Sequence, residues 1–305
     1  MTEPVFELAV DGIDDATWLD LLQRANGNGA RWFTSNQLYL QYARDKVRIT
    51  RYIARRGIWG LVLVVVGLAI WISALKAEGV TLVLGIAVTL VGVAMVGTGV
   101  VTRRDPAARE PVDRWLEKWV ACRGVERLIG EPALGDAGLE FCPEKIDCLL
   151  VVERDALVDL LLQNGAQRAL CALIVAESGY PRALAAEARR LLGERPDLRV
   201  IAVHDATPAG VELPARLRKS PLLPLSTRPI IEAGLFPADV TSLAELAPAI
   251  PAGHTHRVPL DSLSLEALIL GIRGVQAGEI SLQQAIQHAD ESAVTLPAQG
   301  APAAA

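Results

Sequence analysis

Hydrophobic and polar positions change period several times along the chain, and each change marks an element. Trp18, Leu19, Leu21 and Leu22 recur at helical spacing behind Asp14-Asp15, which predicts a capped amphipathic helix closed by the turn cluster Asn26-Gly27-Asn28-Gly29. A second helix is predicted from about Ser35, with Leu38, Leu40, Tyr42, Val47, Ile49 and Tyr52 as its apolar positions. Farther on the pattern alternates. Cys148–Val152, Ala172–Ala176 and Val200–Val203 are short apolar runs that read as buried strands, and Asp155–Gln163 and Arg182–Leu192 between them have helical spacing. Strands alternating with helices at this interval predict βαβ units and a parallel sheet. Further helices are predicted at Pro111 to Val125, where Trp115 and Trp119 form an i, i+4 packing stripe, and at Leu263–Val275 and Ser281–Ala289.

One stretch departs from these periods. Roughly 19 residues from Gly57 to Leu75 and roughly 23 from Gly79 to Val101 carry no charge, each about the length that crosses a ~30 Å hydrocarbon core as a helix. The connector Lys76-Ala77-Glu78 is so short that the two would be antiparallel neighbours. Arg44, Lys46, Arg48, Arg51, Arg55 and Arg56 precede the first run, and Arg103, Arg104 and Arg109 follow the second. By the positive-inside rule this predicts a transmembrane hairpin with both termini cytoplasmic, in a bacterial inner membrane. Neither run contains an ionisable residue, so the hairpin reads as an anchor rather than a transport path. Gly85, Gly92 and Gly99 recur every seven residues, the spacing of a helix-packing face that would suit a homo-oligomer.

The expected organisation is an N-terminal helical segment over 1–56, the hairpin over 57–101 (57–75 and 79–101), an α/β domain over 106–290, and a disordered Ala/Pro tail over 291–305. Composition supports the split: 51% of the 305 residues are hydrophobic, and the excess lies between Gly57 and Val101. Residues 1–105 hold 11 basic and 9 acidic side chains (+2), leaving 19 and 26 (−7) for residues 106–305. So acidic a domain is a poor nucleic-acid surface, which leaves the bilayer and a partner protein as the expected partners. Four cysteines, three of them in or beside apolar runs, do not make a disulfide framework.

Chemistry in an open parallel sheet sits beyond the carboxyl ends of its strands. Those ends carry Glu153, the turn Glu177-Ser178-Gly179-Tyr180-Pro181, and His204-Asp205-Ala206-Thr207-Pro208-Ala209-Gly210. Adjacent strands would bring Glu153 and Asp205 within reach of one Mg²⁺, a hard cation that prefers carboxylate oxygens. The competing reading makes Glu153 and Asp205 helix caps or ion-pair partners of Arg154 and Arg182.

Leu149-Leu-Val-Val-Glu153, Ile174 to Pro181, and Val203-His-Asp205-Ala-Thr-Pro208-Ala-Gly210 resemble, in order and spacing, the Toprim domain of the topoisomerase VI A-subunit and meiotic recombination endonuclease group. Ile230 to Asp239 is similar to the Gly-Leu-x-Pro-Ser-Asp segment that follows that domain. The resemblance implies a Toprim-like, Rossmann-like sheet with Glu153 and Asp205 as catalytic and metal-binding residues and with Thr207, whose hydroxyl ligates weakly, and Gly179 as cofactor-binding residues. That family ends its last strand in Asp-x-Asp-Pro-x-Gly, whereas Thr207 stands here in place of the second aspartate, and a recognisable winged helix with a catalytic tyrosine is missing. The resemblance so modified implies a membrane-anchored, catalytically degenerate module with an interaction or regulatory role. The alternative is a Mg²⁺-dependent nuclease or phosphoryl-transfer enzyme tethered at the membrane, such as a defence effector.

Overall fold

The computed structural model describes residues 15–74, 86–91, 93, 109–132, 146–243, 246, 250, 255–278 and 281–291. The chain divides into two compact units, one of Met1–Gln41 with Glu110–Ala305 and one of Tyr42–Arg109.

The first unit is built on four parallel strands, β3 (Cys148–Val152), β4 (Ala172–Ala176), β5 (Arg199–Val203) and β6 (Ile230–Glu232), ordered β4-β3-β5-β6. Register runs Cys148 to Ala172 and to Arg199, and Val152 to Ala176 and to Val203. β3, β4 and β5 are apolar at nearly every position because both sheet faces are covered. On one face Leu149, Val151, Leu173, Val175, Val200 and Ala202 join a single core with residues of α6 (Arg182–Glu194) and α8 (Leu213–Lys219). On the other face Leu150, Ile174 and Ile201 are fully buried, and α4 (Asp155–Gln163) contacts β3 and β4. The expected α/β class with a parallel sheet is therefore what the chain adopts.

Strand order fixes where a site can form. The chain leaves β3 for β4 on one side of it, returns to β5 on the other, and then continues outward to β6. Connections after β3 and β5 thus diverge, and the diverging loops leave a crevice at the carboxyl ends of these two neighbours.

Two further strands, β1 (Phe33–Thr34) and β2 (Leu128–Ile129), pair in parallel and tie the N-terminal arm into the same unit. Trp18 of α1 (Asp15–Ala25) packs edge-on against Trp115 of α3 (Arg109–Arg123), with ring centroids 5.8 Å apart, and such pairs contribute about 0.5–1.5 kcal/mol beyond their buried area. Trp119 is buried beside it, so the i, i+4 stripe does pack. The Asn164 amide clasps the backbone of Trp32 from both sides, accepting from its N–H and donating to its carbonyl, each at 2.9 Å. The described residues 15–41 accordingly group with the sheet in one compact unit.

The second unit contains most of α2 (Ser35–Ala74), which begins at Ser35 as predicted and runs without a break into the first uncharged stretch. Among the described residues, however, no helix is long and apolar enough to cross a membrane. That finding overturns the two-helix transmembrane hairpin, and with it the inner-membrane location and cytoplasmic termini inferred from the flanking arginines. The connector and most of residues 79–101 lie outside the described residues.

Candidate functional site

Glu153 stands one residue beyond β3, where its backbone N–H still reaches the Val203 carbonyl at 3.1 Å and prolongs the ladder toward β5. Its Oε2 accepts the backbone N–H of Asp205 at 3.0 Å. The two predicted carboxylate residues are therefore brought together, as adjacent strands required, but through one side chain and one main chain. Gly210 permits the approach: a Cβ on it would lie 2.3 Å from the Asp205 carbonyl oxygen and 2.8 Å from Glu153 Oε2. Only glycine fits there, which accounts for the last residue of Pro208-Ala209-Gly210.

The Asp205 carboxylate points elsewhere. Its Oδ2 accepts from Arg154 Nε at 2.6 Å, and its Oδ1 accepts from Arg154 Nη2 at 3.3 Å and from the Leu260 N–H at 2.7 Å. Arg154 Nη2 also donates to Asp261 Oδ1. Asp261 lies in the turn Leu260–Ser262, and Asn36 Nδ2 stands 2.9 Å from each of its carboxylate oxygens. Two acidic side chains, 7% and 3% exposed, thus share one guanidinium. Burial disfavours the Arg154 cation, but Asp261 and Asp205 outweigh it and raise its pKa above the ordinary value. Burial likewise pushes the Asp205 carboxyl up, against the opposing pull of Arg154 and the Leu260 N–H. The reading that pairs Asp205 with Arg154 is the one the geometry follows, while Arg182 is exposed on α6.

Thr207 is consumed by local structure. Its hydroxyl accepts the Gly210 N–H at 2.8 Å and caps the short helix α7 (Pro208–Val211), whose first position is Pro208. Gly179 belongs to the turn after β4, on the side of β3 away from β5. Its φ of +83° is one that side chains rarely adopt, and its N–H closes the turn onto the Ala176 carbonyl at 3.0 Å. The same loop is held to α4 by Ser178 Oγ donating to Asp155 at 2.6 Å and Tyr180 Oη donating to Asp159 at 2.8 Å. Beside it, Glu177 takes both prongs of Arg216, at 2.8 and 2.6 Å.

A Mg²⁺ ion requires several oxygens free to converge on it, at least one or two of them carboxylate. Here both Asp205 oxygens already accept hydrogen bonds, one from the guanidinium that faces them, and the Thr207 hydroxyl is a cap. The donor set does not fit that ion. Among the described residues, no group of three or more His, Cys, Asp or Glu side chains is arranged to hold a metal.

Asp261 and Asn36 were not legible as site residues. They are 225 positions apart in the sequence, and neither stands in a motif; only the strand-end rule, applied to whatever covers the crevice, could have pointed to them. Comparison with protein-family models, curated proteins and solved structures finds no match to this chain.

Proposed function

We propose that the α/β unit is a degenerate Toprim-like module that acts by binding a partner protein and not by metal-dependent phosphoryl transfer. One observation carries this reading: the Arg154 guanidinium bridges Asp205 and Asp261 at the crevice where a catalytic cation would have to stand. A fixed internal cation satisfies the carboxylates without offering open coordination positions to a phosphate. The −7 balance of residues 106–305 supports the same reading, because its long-range field opposes a polyanionic substrate.

The test is cleavage of DNA and RNA by the purified full chain with Mg²⁺ or Mn²⁺, beside a Glu153→Gln, Asp205→Asn double variant. No metal-dependent cleavage is expected from either. Activity that is present in the unaltered chain and vanishes in the double variant would establish the alternative, a Mg²⁺-dependent nuclease or phosphoryl-transfer enzyme.

A further inference from the structure

We infer that Arg154 and Asn36 form a carboxylate-binding site at the β3–β5 crevice, and that the chain fills it with its own Asp261, delivered by the segment Val258–Leu263.

The segment crosses the strand ends at the place where open parallel sheets take their ligands. Ala206 N–H donates to the Val258 carbonyl at 2.9 Å, and Leu260 N–H donates to Asp205 at 2.7 Å, so the segment is laid along the loop that follows β5. It then turns Asp261 inward until the side chain is 3% exposed. The donors that receive this carboxylate come from elsewhere in the chain. Arg154 sits at the junction of β3 and α4 and is oriented by Asp205 through its Nε. Asn36 sits in the first turn of α2, and its Nδ2 bridges both Asp261 oxygens at 2.9 Å. A guanidinium on one side and an amide N–H on the other is how proteins hold a carboxylate ligand. Arg154 keeps its bond to Asp205 whether or not Asp261 is present, so the cation of the site persists without it, whereas Asn36 is placed by the first turn of α2 and spends its amide N–H groups on Asp261. Asp205 does not play the same part: it is bound by two nitrogens of Arg154 and by the Leu260 N–H, and belongs to the frame. Gln37 Nε2 donating to the Leu263 carbonyl at 3.0 Å seats the far end of the segment.

The experiment is thermal unfolding of the full chain in sodium formate against sodium chloride at equal ionic strength, without metal or nucleic acid, so its result is separable from that of the cleavage assay. Asp261→Ala removes the carboxylate and leaves room for formate. Its Tm is expected to fall in chloride and to rise saturably in formate, by about 3 °C or more. Should this variant lack a cooperative transition in chloride, formate is expected to restore one. Asp261→Asn fills the space, and the Asp261→Ala, Arg154→Ala double variant lacks the cation, so neither should show a formate-specific rise. Formate failing to raise or restore Asp261→Ala would overturn the inference, as would an equal rise in all the variants and the unaltered chain.

Discussion

Gly234 presses its backbone so closely on the His204 imidazole that a Cβ there would fall 2.0 Å from Nε2. His204 directly follows β5, is fully buried, and meets Phe236 edge-on with ring centroids 5.3 Å apart. The contact cannot slide, because Ala233 and Leu235 N–H groups bond the Ala202 and His204 carbonyls at 2.8 and 3.0 Å and extend the ladder past β6. The glycine of Gly234-Leu235-Phe236-Pro237 is therefore explained by packing.

Gly234→Ala should accordingly destabilise the first unit by about 2–3 kcal/mol, the usual penalty for overpacking a tight core. His204→Ala would remove the obstacle. Combined, the two substitutions should be less damaging than their sum by at least ~1 kcal/mol, the coupling expected of residues in direct contact. Urea unfolding of the four proteins measures it, and strict additivity would contradict the contact.

Thr207 separates a cap from a ligand. Thr207→Ala should cost about 1 kcal/mol through loss of the cap on α7, whereas Thr207→Asp keeps an N-cap acceptor and should stay within about 0.5 kcal/mol of the original stability. Thr207→Asp also supplies a second carboxylate at the end of β5. Since Arg154 still holds Asp205, isothermal titration should detect no gain of Mg²⁺ binding in that variant.

Asn164 tests how the N-terminal arm is attached. It is buried and bonds Trp32 twice, so Asn164→Ala leaves a backbone N–H and carbonyl without their partner, a loss of about 1–3 kcal/mol. Limited proteolysis should then cut preferentially between Asn26 and Trp32 while the central sheet resists. Unchanged resistance at that turn would mean that β1 and β2 suffice to hold the arm.

Thiol chemistry should sort the cysteines by depth. Burial pushes the Cys148 thiol up despite the Gln276 amide donating to its sulfur at 3.0 Å, whereas Cys122 is exposed. A folded-state pKa raised above the unfolded one stabilises the protein fully below the ordinary thiol range and ceases to do so as pH rises through the folded value. Iodoacetamide at about pH 8 should therefore label Cys122 readily and Cys148 only on unfolding. The unaltered chain should also lose stability relative to Cys148→Ala as pH climbs past the thiol range. Mass spectrometry of the alkylated peptides and pH-dependent unfolding give the two readouts.

Sequence pattern located β3, α4 and β4 to the residue because each is an uninterrupted apolar or amphipathic run bounded by turn residues. It missed β6, whose three residues are all half-buried, and the β1–β2 pair, whose two-residue strands are joined only by the fold. The uncharged stretches were a different failure. An absence of charge over a stretch of sequence does not by itself make a spanning helix, and among the described residues no helix is long and apolar enough to cross a membrane. At the site, adjacency of Glu153 and Asp205 followed from strand order. Orientation did not, since whether Asp205 faces a metal or Arg154 depends on Leu260, Asp261 and Asn36, and local pattern carries no information at such separations.

Those separations bear on the order in which the molecule can be completed. Asn36 emerges from the ribosome 225 residues ahead of Asp261, which at roughly 5–20 residues per second is an interval of about 11–45 s. The central sheet can assemble within that time, since β3 to β6 are consecutive in the chain. The crevice at its end cannot close until Asp261, within the last quarter of the polypeptide, has been made. A nascent chain thus carries an uncovered Arg154, and although β2 and Asn164 are made early enough to hold the N-terminal arm, Asn36 on that arm waits for its carboxylate until late in synthesis.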